Sequence, residues 1–176
     1  MGFDKTKVAI DGVPCAERTA RLVARVVNVA VEVGPGHSFL PAVREEPPGT
    51  GPLAAVVAGH IWLGQVSPRT RGAVVVAGDL PALNEVVLAM LADWPGEGSV
   101  VPVVEGRAQP LLARWSAEAL LRAETLVAQG QRSMRSLLED PEILFIDEKR
   151  WPSGVDAGVF ADMDTTDDLA RLGLQP

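Results

Sequence analysis

The sequence predicts an α/β fold. It reads as one domain over residues 1–176, with a mostly parallel sheet held between two layers of helices. Three observations carry this. Strand and helix periods alternate along the chain, which is the pattern of crossover connections between parallel strands. Ala73–Ala77 (AVVVA) is apolar at every position, as a central parallel strand covered on both faces must be. Gly/Pro-containing turns separate the periodic segments throughout.

Ala16, Ala20, Val23 and Val27 recur at helical spacing and predict a helix over about Ala16–Val26. Val27–Val33 (VNVAVEV) then alternates like a strand and stops at Gly34-Pro35-Gly36. Leu40–Val43 reads as a short strand, Arg44–Gly51 (REEPPGTG) as a polar loop, and Pro52–Leu63 as a helix with proline in its first turn. After the Ala73–Ala77 strand, Gly78-Asp79-Leu80-Pro81 leads to a helix over about Ala82–Leu91. Strands are expected at Val100–Val104, Gln109–Ala113 and Ile143–Ile146, with helices at Ala117–Val127 and Ser133–Leu138. Val159–Asp164 leads to a last helix, Thr165–Leu172.

Composition narrows the function. Hydrophobic residues make up 47% and charged residues 22%, the balance of an ordinary globular protein. A net charge of −7 argues against nucleic acid and against an anionic membrane as partners, since both need a positive surface. The N-terminus MGFDKTK has no apolar run, and no apolar stretch is long enough to span a bilayer. Cys15 has no second cysteine to pair with. A cytoplasmic location is the expectation.

In open α/β sheets, ligands bind beyond the carboxyl ends of the strands. That selects Asp79, the Arg44–Gly51 loop, Asp162 and Asp164. Asp79 follows a buried strand, where a carboxylate can hold Mg²⁺ beside a phosphate or can cap the next helix. Asp162 and Asp164 lie two apart, so an extended segment turns both to one side; they could share a cation, or Asp164 could cap the helix at Thr165. Lys5 could neutralise phosphate charge or decorate the terminus. Gly49, Gly51 and Pro52 open a helix, and a helix N-terminus attracts anions. His37 and His60 lack a metal-ligand spacing, and Trp62, Trp94, Trp115 and Trp151 read as packing residues.

Together these segments resemble the molybdenum cofactor guanylyltransferase-like nucleotidyltransferases. MGFDK resembles the end of the family's opening Arg-Met-Gly-x-Asp-Lys signature, and VAIDGVPCAERTARLV the segment and helix that follow. GTGPLAAVVAG resembles its Gly-Pro-Leu-Ala-Gly segment, and VVVAGDLPAL the strand with the metal-binding Asp-x-Pro. VVPVVEGRAQPLLARW resembles the Gln-Pro-Leu hairpin, and FADMDTTDDLARLGL the closing Asn-x-Asn-Thr-Pro-x-Asp-Leu motif. The likeness covers nearly the whole chain, and its motifs come in the family's order.

The resemblance implies a Rossmann-like, nucleotide-diphospho-sugar transferase-like fold. It implies a nucleotidyltransferase that moves GMP from GTP to molybdopterin or its molybdenum form and releases pyrophosphate. Mg²⁺ is the implied cofactor, GTP and a molybdopterin-type acceptor are the implied partners, and molybdoenzyme maturation factors are a further one. The family's roles fall on Asp79 and Asp164 as metal ligands and on Lys5 as the cation facing the triphosphate. Gly2, Glu46, Gly51, Pro52, Gln109 and Asp162 fall on substrate-binding positions.

Three departures stand out. The Gly-rich loop and its arginine have no counterpart in the sequence, Ala55 replaces a glycine, and Thr166 replaces a proline. The resemblance therefore implies that Met1 lies inside a motif, with the first strand and phosphate loop upstream. The alternatives are a relative with another base or acceptor, such as a molybdopterin cytidylyltransferase or a phospholactate guanylyltransferase, and a degenerate domain that keeps the fold.

Overall fold

The computed structural model describes residues 8–10 and 12–161. The chain opens with a hairpin of β1 (Ala9–Ile10) and β2 (Val13–Pro14) and then enters α1 (Cys15–Val26). Cys15, Ala16, Thr19 and Ala20 form the buried stripe of α1, at the spacing that puts residues four apart on one face. The alternating segment after α1 is extended, but only its end is paired. β3 (Glu32–Val33) runs parallel to β4 (Ala42–Val43), whereas the sequence predicts a strand over all of 27–33.

Next comes α2 (Pro52–Val66), then β5 (Gly72–Val76) and α3 (Glu85–Ala92). They are followed by β6 (Val100–Val104), β7 (Arg107–Ala108), β8 (Leu112–Ser116), α4 (Ala117–Ala128) and β9 (Leu144–Ile146). The main sheet has the order β5-β8-β6-β7, with β9 on β6. Its described pairs are mixed: β5–β8, β6–β8 and β6–β7 are antiparallel, and β6–β9 is parallel. The apolar run of β5 predicts parallel neighbours, but its one described neighbour, β8, runs the other way. Apolar packing against a cluster on each face, not strand direction, is what that run encodes.

Three other boundaries differ from expectation. The strand predicted at Gln109–Ala113 begins at Leu112, because 109–111 form a turn closed by Leu112 N donating to Gln109 O at 3.2 Å. The segment near Ser133–Leu138 is a short 3₁₀ helix, Met134–Glu139. The helix predicted from Ala82 starts at Glu85, since Asn84 is its cap: Asn84 Oδ1 accepts from Val87 N at 3.1 Å.

Alternation along the strands divides the core. Ala73, Val75, Val101, Ala113 and Trp115 face α2 and α4. Val74, Val76, Val100, Leu112 and Ile146 face α1 and α3. The period of two thus yields the expected layered α/β architecture, helices on both faces of the sheet. Each fully buried aliphatic or aromatic side chain contributes roughly 1.5–3 kcal/mol. No described helix is long and apolar enough to cross a membrane.

Candidate active site

β5 ends at Val76, and Gly78 and Asp79 form the turn beyond it. Asp79 is half-buried there. The cap of the next helix, α3, is Asn84. The Asp79 carboxylate lies near the start of α1, close enough for its charge to act on Cys15. Burial pushes the Cys15 thiol up to about 11, and the negative charge of Asp79 adds to the effect. The end of β5 and the beginning of α1 therefore meet at one place.

Gln109 reaches the same end of the sheet from the opposite strand. Val76 pairs with Leu112, and Ala77 N donates to Leu111 O at 2.6 Å. Gln109 lies in the turn that precedes β8 and Asp79 in the turn that follows β5, so both sit at the same end of the sheet. Gln109 is held from the other side as well, since its N–H donates to Pro102 O at 2.8 Å, one step beyond the β6–β7 ladder. Its side-chain amide donates to Arg107 O at 3.3 Å.

The third part lies beyond β3 and β4. Glu32 organises the 34–38 turn: its carboxylate accepts from the N–H groups of Gly36, His37 and Ser38 and from the Ser38 hydroxyl, each at 2.8 Å. Burial alone would raise its pKa, but the donors from His37, Ser38 and Gly36 outweigh it and hold the carboxyl below its ordinary value. Glu17 on α1 fixes the next residue, accepting from Phe39 N at 2.9 Å. Arg44 Nε donates to Gly34 O at 3.3 Å, which puts a cation at the carboxyl ends of both strands. Sequence reasoning did not single out Glu32, Glu17 or Arg44. For Arg44 there was a signal, as it is the one cation in the loop REEPPGTG. For Glu32 there was none, because its partners are backbone groups.

The Arg44–Gly51 loop is ordered by Glu45, whose carboxylate accepts from Gly49 N at 2.8 Å, while Glu46 is exposed. Gly51 is the N-cap of α2 with φ +122°, and a Cβ there would stand 2.9 Å from Arg132 O. That same carbonyl accepts from Leu53 N at 3.2 Å. Gly51 and Pro52 thus open α2 as expected, but one of its free N–H groups serves the Arg132 backbone. The helix N-terminus is less available to an anion than its sequence suggests.

Gly2, Lys5, Asp162 and Asp164 lie outside the described residues. Among the described residues, no cluster of three or more His, Cys, Asp or Glu side chains could by itself enclose a metal ion. Asp79 nonetheless suits Mg²⁺, which is commonly held by one or two carboxylates together with substrate phosphates.

Residues 1–148 match the family described as the MobA-like NTP transferase domain. The chain belongs to that family. Among relatives of the MobA-like group, it is 33% identical over 147 residues to a "probable molybdenum cofactor guanylyltransferase" of Chloroflexus aggregans, covering 77% of this chain and 68% of the relative. It is 29% identical over 178 residues to a molybdenum cofactor guanylyltransferase of Rhodobacter capsulatus, covering 97% and 87%. In fold it is similar to the molybdopterin-guanine dinucleotide biosynthesis protein A of Archaeoglobus fulgidus, with a TM-score of 0.71 at 23% identity over 97% of this chain and 89% of that one. MobA-like members share the nucleotide-diphospho-sugar transferase-like fold, and the α/β layers described above are its form in this chain.

Proposed function

We propose that this chain is a molybdenum cofactor guanylyltransferase, moving GMP from GTP to a molybdopterin-type acceptor with release of pyrophosphate. The observation that carries the reading is that Asp79 and Gln109 lie in turns at the same end of the sheet, in a chain whose relatives bear that activity in their names. A phosphate oxygen of the acceptor attacks the α-phosphate of GTP, and the bond to pyrophosphate breaks. Such transfer is catalysed mainly by holding the groups in line and neutralising their charge.

Asp79, joined by Asp164, would hold Mg²⁺, which supplies charge neutralisation at the phosphates when bound. By the family resemblance, the positive charge of Lys5 would neutralise the triphosphate, and Gly2 would belong to the substrate-binding positions. Gly51 and Pro52 shape the base pocket, with Glu46 at its edge. Gln109 would meet the acceptor, and the resemblance gives Asp162 the same role. The 34–38 turn and Arg44 border the nucleotide, so Glu32 acts as a positioning residue for that border.

The test is pyrophosphate release with molybdopterin, Mg²⁺ and each of the four nucleoside triphosphates in turn. GTP should be the donor. A preference for CTP, or no release with any donor, would overturn the reading. Asp79→Ala should lower turnover by at least about a hundredfold, the scale of losing one charge-stabilising group, with the fold retained by circular dichroism. Turnover near that of the unaltered protein would remove Asp79 from the site.

A further inference from the structure

Gln109 stands in a turn between two paired stretches of chain, since β7 ends at Ala108 and β8 begins at Leu112. Pro110 has no N–H to give, and its ring restricts Gln109, the residue before it, to extended conformations. Three backbone bonds hold the turn: Gln109 N to Pro102 O at 2.8 Å, Leu112 N to Gln109 O at 3.2 Å, and Ala77 N to Leu111 O at 2.6 Å. The last ties it to the end of β5, two residues ahead of Asp79. None of these bonds uses the Pro110 carbonyl.

That carbonyl is served from the core. Trp115 of β8 is fully buried, and its indole Nε1–H donates to Pro110 O at 3.1 Å. Small neighbours give the indole room to reach back along the strand. Ala73 is its cross-strand partner on β5, Ala113 lies two positions back on the same face, and Ala119 and Ala123 of α4 belong to the same cluster. A core position that needed volume alone would be filled by an apolar side chain, which brings no donor to satisfy. Here the donor sits where the turn that carries Gln109 offers an acceptor.

We infer that Trp115 is a positioning residue: its buried indole N–H fixes the 109–111 turn and so sets where the Gln109 side chain stands at the end of the sheet. The inference rests on the proposed reaction only for what Gln109 touches, the molybdopterin-type acceptor. Pro110 is the next residue after Gln109, and the Gln109 side-chain amide is itself held within the hairpin, donating to Arg107 O at 3.3 Å. A turn released from the core would carry that amide with it. Loss of the indole donor should therefore weaken the acceptor more than GTP.

The test compares the unaltered full chain with Trp115→Phe, which keeps a ring and loses the donor, and with Leu137→Ala, which removes packing from the same cluster and leaves the indole in place. Amide exchange reads the turn without any substrate. Relative to residues 72–76 of β5, exchange at Gln109 and Leu112 should speed up by about threefold to tenfold in Trp115→Phe, the scale of one net hydrogen bond, and should hold steady in Leu137→Ala. In pyrophosphate release, Trp115→Phe should raise the KM for molybdopterin by a similar factor while the KM for GTP holds. Added to Gln109→Ala, Trp115→Phe should raise it no further, because the two act along one path. Unchanged exchange in Trp115→Phe, or equal acceleration in Leu137→Ala, would overturn the inference. So would a Trp115→Phe effect on the acceptor that persists undiminished beside Gln109→Ala. If the unaltered protein releases no pyrophosphate with any donor, the proposed reaction fails, and the exchange comparison alone decides what the indole holds.

Discussion

At the level of single residues, the site is defined by which carboxylates are already committed. Glu32, Glu17 and Glu45 each accept backbone N–H groups and build loops. The cap of α3 falls to Asn84 and not to Asp79. The sequence places Asp79 correctly at the end of a strand but cannot decide between cap and ligand, because both roles favour an acid at that point. Cys15 gives this corner a measurable pH dependence. Its pKa is about 11 in the folded protein against an ordinary 9.0, so the folded state keeps the proton that the unfolded state loses. Its contribution is fully present below pH 9 and disappears as pH rises towards 11. Over that window the protein should lose about 2–3 kcal/mol more than Cys15→Ala does, measured by urea unfolding at both ends. Parallel pH profiles for the two proteins would show that the thiol titrates as freely in the fold as outside it.

At the level of elements, periodicity was legible and partnership was not. The stripe of α1, the apolar β5 and the alternation in β6 and β8 all follow from residue pattern, and each is found within a few residues of its expected place. The segment 27–33 has the pattern of a strand, yet only 32–33 are paired, since pairing depends on a neighbour that a local pattern does not contain. Helix starts followed side-chain capping more closely than apolar spacing. Ala82 begins an apolar run, but Asn84 starts the helix because it supplies the oxygen for Val87 N. Asn84→Ala should therefore cost about 0.5–2 kcal/mol in chemical denaturation. The loss should sit at the upper end of that range, because Asn84 Nδ2 also donates to Gly154 O at 3.3 Å. No loss of stability would mean that the helix start is fixed by the packing of Leu83 and Val87 instead. Of the candidate site, Asp79, Gln109 and the opening of α2 were visible in the motifs, while the hold of Arg132 O on α2 required a contact from a distant loop.

At the level of the whole molecule, two apolar clusters lie on opposite faces of one sheet, and β8 links them. Its Leu112 belongs to one cluster and its Trp115 to the other. Trp115 is fully buried, and its indole N–H donates to Pro110 O at 3.1 Å, in the turn that carries Gln109. Trp115→Ala should cost about 3–5 kcal/mol in urea unfolding, the scale of removing a large aromatic from a packed core. A loss below about 1 kcal/mol would mean that the surrounding side chains collapse into the space. The indoles also have an optical consequence. The protein has four tryptophans and no tyrosine, so its near-ultraviolet emission is almost wholly indole light. Trp115 is sealed off from solvent, whereas Trp151 stacks on Phe160 with centroids 5.0 Å apart and Trp94 lies 5.3 Å beneath the Arg150 guanidinium. Two of the four emitters thus sit against the 150–160 segment. Without any attached dye, the colour and brightness of the protein's own fluorescence would register how that stretch seats itself when a nucleotide arrives.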